Sequence, residues 1–133
     1  MTDCIFCKII SGEIPSTKVW EDERYFAFLD INPINPGHAL LVPKKHEDNV
    51  FDLDEETYSG LFLAAKKLSE PIQKAVDSKR IGVIIEGFLV HHAHIHLVPI
   101  NSGNELDPSR AKKASPEELE EIAGKVRVNV ALS

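Results

Sequence analysis

The chain of 133 residues carries 21 acidic and 15 basic side chains, which gives a formal net charge of -6. Because such a charge repels polyanions, we expect no DNA or RNA partner. Its 43% hydrophobic residues are enough for one core, and no stretch reaches the ~20 apolar residues of a membrane span, so we expect a single, soluble, untargeted cytoplasmic domain over residues 1–133 with no membrane contact.

The first feature along the chain is a pair of cysteines, Cys4 and Cys7, which are the only two in the sequence. In a reducing compartment a structural disulfide is not expected, and a core of this size does not need one. A metal site, redox chemistry and chance remain open.

Two apolar segments follow, Tyr25–Leu29 and Ala39–Val42, separated by the turn formers of residues 32–37. Proline fixes φ and glycine permits a positive φ, so this region predicts a strand, a tight connection and a second strand.

A long helix is predicted next. Asp52 and Glu55 have the spacing of a capping box, and apolar residues then recur at helical spacing. That apolar face consists of Tyr58, Leu61, Phe62, Ala65, Leu68, Ile72 and Val76. Pro71 lies inside the pattern and predicts a kink or a break near Ser69, because proline removes a backbone hydrogen bond.

Two strands and a helix complete the chain. The short, β-branched stretch Ile81–Ile85 predicts a buried strand, and Val90–Ile100 predicts another. Residues 101–114 are polar and predict an exposed loop. The last helix, 115–128, begins at Ser115 with a second capping box. Strands mixed with two main helices on short connections indicate an α+β domain with a mostly antiparallel sheet.

Four of the six histidines lie between positions 91 and 96. Side chains alternate along a strand, so His92, His94 and His96 are predicted to share one face. A row of imidazoles suits two chemistries. The first is a catalytic zinc ion held by the three histidines. The second is a neutral imidazole that attacks phosphorus while its neighbours hydrogen-bond the phosphate.

Ligand counting connects this row to the cysteines. Structural zinc takes four ligands, and two cysteines with two histidines form a common set. Outside residues 91–96 the chain has only His38 and His46. His46 follows a predicted strand, so the count favours Cys4, Cys7, His46 and one member of the row.

The segment from His92 to Val98 resembles the His-φ-His-φ-His-φ-φ signature of the histidine-triad (HIT) family of nucleotide hydrolases and transferases. Four other blocks resemble this family in the same order, so that the similarity covers residues 1 to about 100. They are Cys4–Ile10, Phe28–Pro33, Asn35–His38 and Val42–His46.

The resemblance implies a HIT-like fold with a five-stranded antiparallel sheet that extends across a homodimer. It also implies a nucleoside phosphoramidase or dinucleoside polyphosphate hydrolase that acts on a purine nucleotide. His94 would attack the α-phosphate, a covalent nucleotidyl-histidine would form, and water would release the nucleoside monophosphate. His96 would donate to the phosphate oxygens, and His38 would help to orient the nucleophile.

The resemblance also assigns binding residues. Phe6, Phe28 and Ile31 would line the base pocket, and Asp30 would accept hydrogen bonds from the ribose. In zinc-bearing relatives the first histidine of the signature is a metal ligand. The implied structural zinc site is therefore Cys4, Cys7, His46 and His92.

One segment departs from the family. Many members carry Gln and Ser in a loop before the triad that contacts the phosphates and the leaving group, whereas this chain has Glu86-Gly87-Phe88-Leu89. No family role falls on His91, for which we expect a solvent-facing position. The departure motivates one rival function, a nucleotide-binding module with little turnover. The other rival is a zinc metallohydrolase that uses His92, His94 and His96.

Overall fold

A computed structural model describes residues 3–133 of the chain. Its helices and strands are α1 (Ile5–Ser11), β1 (Lys18–Glu21), β2 (Tyr25–Leu29), β3 (Ala39–Pro43), α2 (Glu55–Val76), β4 (Arg80–Ile84), β5 (Ile95–Ile100) and α3 (Pro116–Leu132), with 3-10 turns at Val50–Asp52 and Pro108–Arg110. The strands form one five-stranded sheet in the order β1-β2-β3-β5-β4. All neighbouring strands are antiparallel. The α+β fold, the five-stranded antiparallel sheet and the two main helices are confirmed.

The centre of the sheet is the hairpin of β2 and β3. Every residue of both strands is buried, which suits strands covered on both faces. The connection between them contains Gly37, whose φ is +92°. An L side chain rarely adopts this conformation, so glycine is needed for the chain to turn back.

Helices cover both faces of the sheet. The larger core packs α2 and α3 against one face, with Leu61, Leu68 and Ile72 fully buried. A second cluster on the other face joins α1 to the sheet through Phe6, Ile9, Phe26, Phe28, Leu40 and Val42. Helix α1 was not predicted from the sequence, and it carries the two cysteines to this second face.

Two details of α2 differ from the prediction. The N-cap is Asp54, whose carboxylate accepts from the Thr57 N–H, so the predicted capping box at Asp52 is wrong. The predicted break is also wrong, because the helix continues through Pro71. An internal proline costs ~3 kcal/mol. Complete burial of Leu68 and Ile72 on either side contributes roughly 1.5–3 kcal/mol for each residue, which offsets that cost.

The last two strands also differ from their predictions. Strand β4 is a partly exposed edge strand rather than a buried one. Strand β5 begins at Ile95 instead of Val90, so His92 and His94 precede it and only His96 lies in the ladder. At the end of the chain, Ser115 caps α3 as predicted, and α3 continues to Leu132.

No helix in residues 3–133 is both long enough and apolar enough to span a membrane.

Candidate active site and metal centre

Four predicted zinc ligands meet beside the start of α1. Cys4 is the N-cap of this helix, and its Sγ accepts from the Cys7 N–H at 3.4 Å. His46 follows β3, and His92 lies just before β5. One potential ligand atom from each of the four residues lies within 4.8 Å of the others. Three distant segments of the chain therefore bring the predicted ligand set together.

The distances in this cluster match a tetrahedral metal site. His92 Nδ1 lies 3.4 Å from Cys4 Sγ and 3.5 Å from Cys7 Sγ, and His46 Nδ1 lies 3.4 Å from Cys7 Sγ. The two Nδ1 atoms are 3.2 Å apart. Zinc bonds of ~2.3 Å to sulfur and ~2.05 Å to nitrogen at tetrahedral angles separate S from N by about 3.6 Å and N from N by about 3.3 Å.

The hydrogen bond on the far side of the His92 ring sets its tautomer. His92 Nε2 lies 2.8 Å from the Pro43 carbonyl oxygen, which can only accept, so Nε2 carries the proton. The lone pair is then on Nδ1, which faces the two sulfurs, as a metal ligand requires. Burial, together with the adjacent Cys4 sulfur, raises the pKa of the Cys7 thiol. A cation would counter this effect and favour the thiolate.

The His94 ring is held by the backbone carbonyl of His92. Its Nδ1 donates to the His92 carbonyl oxygen at 2.7 Å, which leaves the lone pair on Nε2. The Phe6 ring meets the imidazole edge to face, with ring centroids 5.0 Å apart. Burial lowers the pKa of His94, against the opposing effects of that hydrogen bond and of Asp30. The ring is therefore fixed in position, uncharged at neutral pH and able to act as a nucleophile.

A chain of hydrogen bonds orients His96. The Ile34 N–H donates to His38 Nδ1 at 3.0 Å, so the proton of the neutral His38 ring is on Nε2. His38 Nε2 donates to His96 Nδ1 at 2.9 Å, and the proton of His96 is therefore on its own Nε2. Burial and the nearby His38 and His94 lower the pKa of His96 to about 4. His96 thus presents a neutral N–H donor.

Asp30 lies beside this chain of hydrogen bonds. Its Oδ1 accepts from the Asn32 N–H at 2.8 Å, as in a turn, and its Oδ2 is 3.6 Å from His38 Nε2. Asp30, His38 and His96 form a second group with metal-ligand atoms close together. This second group suits a metal poorly, because a protonated Nε2 of His38 has no lone pair to offer.

The predicted base-pocket residues have different environments. Phe6 and Phe28 are buried and pack edge to face with centroids 5.6 Å apart, within the second core cluster. Ile31, in the connection that follows β2, is 60% exposed. Of these three residues, Phe6 contacts the His94 ring, and Phe28 packs against Phe6.

The three imidazoles of the signature do not converge on one point. His92 Nδ1 faces the cysteines, His94 Nδ1 faces a carbonyl and His96 Nδ1 faces His38. The prediction that one strand displays all three is wrong, because β5 begins after the second of them. The backbone carbonyls of Pro43 and His92, which set two of the tautomers, were not identified from the sequence because a carbonyl has no residue-type signal.

The segment before the triad is exposed, as is His91. Phe88 is 80% exposed and Leu89 is 98% exposed. His91 reaches the solvent as predicted, and its Nδ1 lies 3.2 Å from the Asp48 carboxylate. The Asp48 contact had no signal in the sequence, since 43 residues separate the pair.

A family model described as the HIT domain matches residues 11–103 of the chain. An uncharacterised HIT-like protein of Borreliella burgdorferi is 34% identical, over 98% of this chain and 100% of that protein. The adenosine 5'-monophosphoramidase of Schizosaccharomyces pombe is 37% identical over 72% of this chain and 73% of its own length. An adenylylsulfatase of Arabidopsis thaliana is 33% identical over 73% of this chain and 52% of its own length.

Solved structures share the whole fold. A HIT-like protein from Bartonella henselae matches with a TM-score of 0.85 and 35% identity, over 97% of this chain and 98% of that chain. A zinc-bound histidine triad protein from Mycobacterium smegmatis also has a TM-score of 0.85, with 28% identity over 98% and 95% of the two chains. The similarity therefore includes α3, beyond the residues that the family model covers.

Proposed function

The chain belongs to the HIT domain family, and on this basis we propose that it is a nucleotide hydrolase or nucleotidyltransferase. Its substrate would be a purine nucleoside phosphoramidate or a dinucleoside polyphosphate, cleaved at the α-phosphate. The coarse part of this function, hydrolysis of a nucleotide, agrees with the activities for which the relatives from S. pombe and A. thaliana are named.

The observation that carries the proposal is the state of His94. Its Nδ1–H is bonded to a backbone carbonyl, so its free lone pair is on Nε2. Because burial lowers its pKa, no proton competes for that lone pair at neutral pH. A nucleophile needs this combination of fixed orientation and an available electron pair.

The reaction follows in two displacements. In the first, His94 Nε2 forms a bond to the α-phosphorus, and the bond from phosphorus to the leaving group breaks with its electron pair on that group, which takes up a proton. In the second, a water oxygen bonds to phosphorus while the bond to Nε2 breaks, and the water gives up a proton. The products are a nucleoside monophosphate and the neutral imidazole, so one difficult displacement is replaced by two easier ones.

His96 and His38 support the displacements. The His96 Nε2–H is available to a phosphate oxygen, and the hydrogen bond from His38 keeps the proton on that nitrogen. A donor that is already oriented stabilises the negative charge of the transition state without reorganisation. Phe6, Phe28 and Ile31 would contact the purine base, and Asp30 would accept from the ribose.

Cys4, Cys7, His46 and His92 would hold a structural zinc ion, and their separations and the His92 tautomer support this assignment. When bound, zinc supplies a cross-link between α1, the end of β3 and the start of β5. The His92 ring that would bind the metal and the His92 carbonyl that orients His94 belong to one residue. The cluster would therefore stabilise the site without taking part in the reaction.

Two rival functions remain distinguishable. A metallohydrolase that uses His92, His94 and His96 is disfavoured, because both ring nitrogens of His92 already face other partners, the cysteines and the Pro43 carbonyl. A binding module with little turnover is motivated by the altered segment Glu86–Leu89, which lacks Gln and Ser.

The test is intact-mass spectrometry after the protein is mixed with adenosine 5'-phosphoramidate and rapidly quenched. We expect a nucleotidyl adduct on the wild-type protein and none on His94→Ala, with circular dichroism to establish that the variant is folded. Binding without an adduct or hydrolysis would favour the module. Hydrolysis that needs added zinc and never gives an adduct would favour the metallohydrolase.

The homodimer remains a prediction. Light scattering would test it, since a dimer has twice the 14.8 kDa mass of the chain.

A further inference from the structure

A cavity of about 320 Å³ opens beside the proposed nucleophile. His94 and Ala93 line it together with two other segments, Asp48–Val50 and Ile85–Phe88, and with His91. The second of these segments is the one in which the chain departs from its family. The cavity is therefore built largely from residues to which the proposed function gives no role.

The position of the cavity indicates which part of the substrate it would hold, the nucleoside or the leaving group. The His94 ring contacts Phe6 and His96, with centroids 5.0 and 5.1 Å away, and these residues belong to the proposed base and phosphate sites. Neither Phe6 nor His96 lines the cavity. Before the first displacement, the α-phosphorus that faces His94 carries a nucleoside and a leaving group, and the nucleoside has its proposed contacts outside the cavity. The cavity is thus the available site for the leaving group.

Two carboxylates are the principal charged groups around this cavity. Asp48 and Glu86 contribute carboxylates, and no lysine or arginine is among the described residues that line it. The lining also contains His91, whose Nδ1 lies 3.2 Å from the Asp48 carboxylate. The lysines just before Asp48 are already paired, Lys44 with Glu21 at 2.6 Å and Lys45 with Asp54 at 3.2 Å.

The rest of the lining is mainly apolar. Val50, Ile85, Phe88 and Ala93 provide hydrocarbon surface. The Phe88 side chain is 80% exposed, and a ligand that covered it would gain free energy from burial of apolar area. Such a lining suits a group with a short hydrocarbon arm.

We propose that the cavity bounded by Asp48, Glu86 and Phe88 is a leaving-group subsite that selects neutral or cationic amines and rejects anionic groups. This inference rests on the proposed function and narrows its substrate class to nucleoside phosphoramidates of primary amines with a hydrocarbon arm. A phosphate chain or a sulfate would bring negative charge to the two carboxylates. In the cleavage step the P–N bond breaks with its electron pair on the amine nitrogen, which takes one proton from solvent, while His94 Nε2 bonds to phosphorus.

The experiment compares three adenosine 5'-phosphoramidates that share the nucleotide and differ in the end of the amine. The amines are 1,3-diaminopropane, propylamine and β-alanine, whose free ends are cationic, neutral and anionic. Release of the monophosphate gives kcat/KM for each at fixed ionic strength. Like charges a few ångströms apart near a protein surface lower an association constant about tenfold, so we expect at least that ratio between the cationic and the anionic substrate.

The double variant Asp48→Asn/Glu86→Gln separates the effect of the two carboxylates on kcat/KM from differences in the intrinsic reactivity of the substrates. It should reduce the cationic-to-anionic ratio at least about threefold, since the repulsion is removed. Glu121→Gln, a change of the same kind at an exposed position of α3 that does not line the cavity, should leave the ratio unchanged.

Two negative outcomes are distinct. If all three substrates release the monophosphate at similar rates, or if the double variant leaves the ratio unchanged, the subsite is refuted while the hydrolase stands. If none of them gives either the monophosphate or an adduct on His94, the proposed function itself fails, and the subsite fails with it.

Discussion

Two substitutions of His38 separate its effect on His96 from its effect on stability. The ring accepts from the buried Ile34 N–H through Nδ1 and donates to His96 through Nε2. The side-chain oxygen of asparagine can take the position of Nδ1, and the amide nitrogen of glutamine can take that of Nε2. His38→Asn therefore keeps the acceptor for Ile34 and loses the donor to His96, whereas His38→Gln does the reverse.

The magnitudes follow from which group is left without a partner. In His38→Gln the buried Ile34 N–H loses its acceptor, which costs about 1–3 kcal/mol of unfolding free energy. In His38→Asn nothing holds the proton of His96 on Nε2, and a lone pair facing the phosphate replaces a donor. Loss of one such donor lowers kcat by about 10²–10³ at an oxyanion site. We expect about 10-fold to 100-fold here, since the ring can return to the productive tautomer at a small cost.

The assays are urea unfolding and kcat for a nucleoside phosphoramidate, on both variants and the wild type. His38→Gln should be the less stable and the more active of the two. The reasoning would be refuted if His38→Asn matched or exceeded the activity of His38→Gln, or if the two lost equal stability.

Three further predictions concern the zinc content, the pH dependence of stability and the contact between Phe6 and His94. Cys4→Ser should lower the melting temperature and the zinc content measured by atomic emission while some activity remains, and an unchanged zinc content would contradict the four-ligand site. Because burial lowers the pKa of His96 to about 4, the unfolded chain binds more protons than the folded one between pH ~6.5 and ~4, so the unfolding free energy should fall as the pH falls through this range. A His96→Gln variant should have a shallower slope in the same urea titrations. Phe6→Leu should raise KM and lower kcat, since it removes the edge-to-face contact that buttresses His94; unchanged kinetics would leave Phe6 a core residue only.

The fold was predictable where hydrophobic pattern and turn chemistry agreed. Strands β2 and β3 and the glycine between them followed from two apolar segments around a proline-rich turn. Helix α1 was missed, because its seven residues are too few for a periodic pattern and its N-cap is a cysteine. The start of β5 was misjudged because a strand and an extended loop can have the same local sequence pattern. Only hydrogen-bonded pairing with β3 distinguishes them, and on β5 this pairing covers Ile95 to Leu97.

The site was less accessible to sequence reasoning than the fold. Ligand counting narrowed the candidate zinc ligands to Cys4, Cys7, His46 and one histidine of the row, and only the family resemblance pointed to His92. The tautomers of the histidines could not be predicted from the sequence, because they depend on which backbone group each ring contacts. The Ile34 N–H and the carbonyls of Pro43 and His92 are invisible as residue types, although they determine which nitrogen of each histidine carries its proton.

His92 links the proposed zinc site to the proposed nucleophile through three different groups. Its Nε2 donates to Pro43 at the end of β3, its Nδ1 faces Cys4 and Cys7, and its carbonyl holds His94 Nδ1. Movement of α1 would therefore shift the His92 backbone and with it the lone pair of the proposed nucleophile, even though none of the proposed zinc ligands would touch phosphorus. Near-attack geometry is sensitive to displacements of about 1 Å, so under the proposed function the pair of cysteines would contribute to the orientation of His94 Nε2.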